Sequence, residues 1–88
     1  MTWEQRFGAL VALDGDEWDA AHERLEQEWL GTYTAAFVEI AVSRGWRRED
    51  AETWPGEIGD EAFIEAYRHN WEPRRAAAED LVACGEPP

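Results

Sequence analysis

"DGDEWDAAHERLEQEWLGTYTAAFVEIAVSRG", residues 14 to 45, is the stretch whose reading decides the fold. At about 100° per residue, Trp18, Ala21, Leu25 and Trp29 share one helical face, with His22 at its edge. Asp16, Asp19, Glu23 and Glu26 form a separate stripe beside that face. The second half is far more apolar. Tyr33, Ala36, Phe37, Val38, Ile40, Ala41 and Val42 cover more than half of a helical circumference, the pattern of a central helix. Asp14-Gly15-Asp16 reads as a turn that ends in a cap, Gly31 as a stop and Thr32 as the next cap. The stretch therefore predicts two helices, from about Glu17 to Leu30 and from 32 to 44. Gly45 follows as the C′ residue.

Outward from this stretch the chain also reads as helix. On the N-terminal side, Thr2 can cap a helix with an apolar stripe of Trp3, Phe7, Leu10 and Val11. On the other side, a short helix is expected from about Arg48 to Trp54, interrupted or kinked at Pro55-Gly56. A stronger one, capped by Asp60, runs to His69 and carries Phe63, Ala66 and Tyr67, its spacing continuing to Asn70 and Trp71. "WEPRRAAAEDLVACG" (71–85) sets Pro73 at N1 and Gly85 past the end. Ala77, Ala78, Leu81 and Val82 form the expected buried face. No segment alternates with period two. An all-α single domain over 1–88, a compact bundle of four to five short helices, is the expected architecture.

Twenty acids, eight arginines and no lysine give a formal net charge of −12. Such a charge favours solubility and opposes compaction. It excludes direct binding to nucleic acid or anionic membrane, both of them polyanions, and implies a basic partner. Hydrophobic residues make up 44% of the chain at helical spacing, so disorder is not expected. Cys84 is the only cysteine, which fits a reducing cytosol. No apolar run approaches a membrane span, and no signal-peptide pattern is seen at the N-terminus.

Two acidic sets are the candidate binding residues. Asp16, Asp19, Glu23 and Glu26 climb one helix in steps of about 4.5 to 6 Å, an interval at which carboxylates can imitate a row of phosphates. Glu49, Asp50, Glu52, Glu57, Asp60 and Glu61 gather later in the chain. The competing explanation is a solvated face. Of six tryptophans, Trp3, Trp18, Trp29 and Trp71 fit core faces. Trp46 and Trp54, beside helix breakers, are candidates for a partly exposed contact. The arginines are expected to pair within the molecule or to sit near helix C-termini. His22, in "DAAH" and four residues before Glu26, has ligand spacing but lacks matching inward carboxylates, so neither a metal nor a cofactor is expected. No nucleophile–base pair or glycine-rich phosphate loop is visible, and Cys84 reads as a small apolar residue. An enzyme is not expected.

"GDEAFIEAYRHNW" (59–71) is similar to an acidic aromatic stretch of ArdA-type antirestriction proteins. In size, charge and helical pattern the chain resembles anti-CRISPR and antirestriction nucleic-acid mimics of phages and mobile elements. The resemblance implies a non-catalytic inhibitor in the host bacterial cytosol. Its acidic helical face would occupy the basic nucleic-acid-binding surface of a CRISPR effector or restriction system. The alternative is a helical adaptor or assembly protein, homodimeric in one version, that binds through exposed tryptophans.

Overall fold

A computed structural model describes residues 2–84 and contains four helices: α1 (Trp3–Val11), α2 (Gly15–Ser43), α3 (Arg48–His69) and α4 (Pro73–Cys84). No strand occurs among the described residues. The all-α bundle expected from the periodicity is thus the observed architecture. Gly85, read as the stop of the last helix, lies outside the described residues.

The division into helices differs from expectation at two places. Gly31 does not close a helix and Thr32 does not cap one, because α2 runs through both as a single helix of 29 residues. Gly31 is exposed and a Cβ there would meet nothing within 4 Å, so the only cost is its poor helix propensity, about 1 kcal/mol. Against that stands the burial of Leu25 and Trp29 before it and of Tyr33, Ala36 and Phe37 after it, all on one stripe. Packing outweighs propensity. α3 continues through Pro55 and Gly56, so of the two readings at Pro55 the single helix is the observed one, and Asp60 lies inside it rather than capping a new helix. Pro55 deprives the Ala51 carbonyl of its usual donor, yet the ring is buried and helps to fill the core. One turn after Pro55, Gly59 lets α3 approach α2, with Leu30 Cδ2 at 3.1 Å from where a Cβ would stand.

Both long helices end by the same device. Gly45 (φ +94°) and Asn70 (φ +57°) take the left-handed conformation, and a tryptophan follows each. The Trp46 amide donates to the Ala41 carbonyl and the Trp71 amide to the Ala66 carbonyl, both at 3.0 Å. These are the six-to-one bonds of a Schellman ending, which satisfy a terminal carbonyl and turn the following residue back onto the helix. At the other helix starts, Thr2 and Gln5 form a reciprocal capping box on α1. The chain enters α2 through Gly15 (φ +58°), after Asp14, which makes no side-chain cap.

α2 is the central element and sets the longest dimension, 43 Å. α3 returns antiparallel beside it: His22 meets Phe63 and Tyr67 near one end, Leu30 meets Gly59 midway, and Phe37 meets Trp46 at the other. α1 and α4 share the length of this pair. α1 covers one end through Phe7, whose ring lies 6.1 Å from Phe63 and 5.6 Å from Tyr67. α4 covers the other part through Leu81, Ala76 and Ala77 and through contacts to Tyr33 and Glu39. Within α4 the expected buried face holds at Ala77 and Leu81 but not at Val82, which is 69% exposed. Val11 similarly faces solvent, at 79%, on the last turn of α1. Both are one step off the stripe that their neighbours define.

The centre of the core is aromatic. Trp29, fully buried, stacks on Tyr33 at 5.1 Å and meets the edge of Phe63 at 5.6 Å. Its indole N–H donates to the Trp71 carbonyl at 3.2 Å, so this large side chain is buried with its one donor satisfied. Trp3, Trp18 and Trp71 are half-buried and pack against the same core. No side-chain nitrogen or oxygen among the described residues is buried without a partner.

Candidate partner interface

The first acidic set lies on one flank of α2. Asp16, Asp19 and Glu23 are exposed, and none of them takes part in an ion pair among the described residues. Glu26, half-buried, approaches His22 Nδ1 at 4.0 Å. The other acids of this half of α2 are turned elsewhere. Glu28, for example, pairs with Arg6 of α1.

The second set does not stay together. Asp60 lines a groove between α2 and α3 that also holds Glu26, His22, Ile64 and Arg68, so it adjoins the first set. Glu49 sits three helical turns before Asp60 on the same side of α3. Glu57 is exposed and points away from the bundle by its helical position, whereas Asp50 is half-buried in the first turn of α3. Glu52 takes the Arg48 side chain at 3.0 Å and faces the far end of α2. Glu61 turns to the opposite flank, toward α4. The two sets thus converge only at Glu26 and Asp60.

Four of the eight arginines pair with acids outside the first flank. Arg6 goes to Glu28, Arg48 to Glu52, Arg68 to Glu65 and Arg74 to Glu39, each away from Asp16, Asp19 and Glu23. His22 belongs to the aromatic core margin. It stacks on Trp18 at 4.6 Å and meets Phe63 and Tyr67 edge to face. Among the described residues, no three His, Cys, Asp or Glu side chains converge as metal ligands.

The two tryptophans proposed as exposed contacts part company. Trp46 is buried, only 5% exposed, its ring edge-on to Phe37 at 5.9 Å. The expectation of a surface contact there is wrong. A tryptophan immediately after the left-handed glycine is the residue that a Schellman ending folds back, and "RGW" (44–46) carried that signal. Trp54 is half-buried and lines a groove of about 620 Å³ between α3 and α4, together with Ile58, Glu61, Glu65, Trp71 and Asp80.

Sequence reasoning gave no notice of that groove, nor of the bond at its base. The Tyr33 hydroxyl donates to Asp80 Oδ2 at 2.6 Å across 47 residues of chain. Burial, then the bond to Asp80 and its charge, push the Tyr33 phenol well above its ordinary value. Burial also raises the Asp80 carboxyl, offset by the Tyr33 bond, with the Glu79 charge adding to the rise. Burial and the nearby Asp80 raise the Cys84 thiol, which keeps it protonated and a poor nucleophile. No local pattern could reveal this triad, because it depends on where α4 docks.

No protein-family model, no curated protein and no solved structure matches this chain. No helix among the described residues is long and apolar enough to cross a membrane.

Proposed function

We propose that the protein is a non-catalytic inhibitor that presents its α2 carboxylates to a basic nucleic-acid-binding surface. The target is a bacterial defence complex, a CRISPR effector or restriction system, met in the host cytosol. The observation that carries this reading is the flank formed by Asp16, Asp19 and Glu23, exposed and without ion pairs among the described residues, with Glu26 and Asp60 beside it. From Asp16 to Glu26 the flank extends about 15 Å along a rigid helix. Carboxylates on it can engage the arginines and lysines that a nucleic-acid groove uses for phosphate. Because no arginine pairs with Asp16, Asp19 or Glu23 among the described residues, these carboxylates have no internal ion pair to break on binding.

The test is competition. A panel of CRISPR effectors and restriction enzymes is assayed for DNA or guide-RNA binding with and without the protein at low and high salt. Inhibition should weaken steeply as salt rises. The combined change Asp19→Lys, Glu23→Lys and Glu26→Lys should weaken it about a hundredfold or more, as expected for several charge pairs lost at once. Inhibition at full strength by this variant would overturn the proposal. The adaptor reading has less to rest on, since of its two tryptophans Trp46 is buried and Trp54 is half-buried.

A further inference from the structure

We infer that the α3–α4 groove is a second binding site, which takes an extended arginine-bearing segment of a protein partner. Trp54, Trp71 and Ile58 line it with apolar surface, and Glu61, Glu65 and Asp80 supply carboxylates. None of its lining residues is basic, in a molecule whose other grooves each contain at least one arginine. A site with aromatic faces and anionic edges complements a guanidinium. The planar group stacks on indole while its N–H donors reach carboxylates.

The molecule already uses this arrangement internally. Arg6 lies over the Trp3 ring at 4.3 Å while pairing with Glu28. Arg75 lies over Trp71 at 5.2 Å and the His69 ring lies 5.5 Å from it, so on that tryptophan only the surface turned to the groove is offered to a partner. Glu65 is shared with Arg68 at 3.7 Å and His69 at 3.5 Å, both exposed pairs that an incoming arginine can displace. Asp80 uses Oδ2 for Tyr33, leaving Oδ1 available. The groove's α3 wall, from Trp54 to Glu65, is about 16 Å long, which about five extended residues span. The basic character of the occupant rests on the partner reading above; the location does not.

The test uses a blocked five-residue peptide carrying three arginines, titrated into the folded protein while the indole N–H signals of the tryptophans are followed by NMR. Saturable shifts at Trp54 and Trp71 are expected. Glu61→Gln with Glu65→Gln should weaken binding about fivefold, whereas Asp19→Asn with Glu23→Gln should change it less than about twofold. A lysine counterpart should bind less tightly. Absent shifts at Trp54 and Trp71, equal weakening by the two variant pairs, or equal affinity for the lysine peptide would each overturn the assignment. If the peptide saturates the groove while the Asp19, Glu23 and Glu26 reversals leave defence-complex inhibition intact, mimicry by α2 falls and the groove stands. The opposite pair of results removes the groove and leaves the α2 reading.

Discussion

The two halves of α2 are one continuous helix with opposite surfaces. From Gly15 to Leu30 it carries Asp16, Glu17, Asp19, Glu23, Glu26 and Glu28; from Gly31 to Ser43 its only acid is Glu39. The first half is covered on one side by the nine-residue α1 and on another by the end of α3. That cover leaves a flank on which charge can remain solvated. The second half packs against α3 and α4, burying Tyr33, Ala36, Phe37 and Ala41. Charge density here follows what each stretch of a long helix must bury. The same backbone can serve as core strut and as display surface because the helical period separates the two roles.

Trp29 and Tyr33 sit where the halves meet and join them. Trp29→Ala removes a fully buried ring stacked on Tyr33 and should cost about 3–5 kcal/mol, a large part of a total that is typically about 5–15 kcal/mol. Urea denaturation measures it. A loss under about 1 kcal/mol would mean that the halves are held separately.

A smaller effect is expected at the next contact. Tyr33→Phe leaves Asp80 without its donor and should cost about 1–3 kcal/mol in the same assay. Its pH dependence has a definite sign. The native Tyr33 phenol keeps its proton above the ordinary value of 10.0, whereas the unfolded chain loses it there. The contribution is therefore complete below pH 10 and declines as pH rises beyond it. Tyr33→Phe should remove this alkaline decline; an unchanged stability profile above pH 10 would show that the phenol is not held as described.

At Gly31 the expected change is stabilising. Since a Cβ there meets nothing within 4 Å and the helix is continuous, Gly31→Ala should raise stability by about 0.8–1 kcal/mol. A destabilised variant would indicate that the halves need a flexible joint. The smallest effect on stability is expected on the acidic flank. Asp16→Asn, Asp19→Asn and Glu23→Gln together should shift the denaturation midpoint by no more than about 0.5 kcal/mol, or raise stability slightly by easing repulsion. A large loss would give these residues a structural role and weaken the case for a binding surface.

Much of the fold was legible from local patterns. The apolar stripes of α1, α2 and α4 are where the periodicity puts them, apart from the marginal Val11, Val42 and Val82. Thr2, Gly45 and Pro73 mark the boundaries they were expected to mark. The candidate site was legible in part. Periodicity located Asp16, Asp19, Glu23 and Glu26 on one flank but could not show that Glu52 is engaged by Arg48 or that Glu61 faces α4. Trp46 was misread because its proximity to a breaker was weighed and its position in the helix ending was not.

Local patterns were enough to show that this chain is helical, where its two long helices end, and which stretch carries the charge. Those properties arise from caps, left-handed residues and a 3.6-residue period, all local within a few turns. Only the tertiary structure decided that Gly31 and Pro55 lie inside helices, that Trp46 is covered, and that Tyr33 and Asp80 meet beside a groove with tryptophan walls. A propensity cost of about 1 kcal/mol at a glycine, or about 3 at a proline, is small beside the burial of several aromatic rings on both sides of it. Which residues those rings bury against depends on partners tens of positions away.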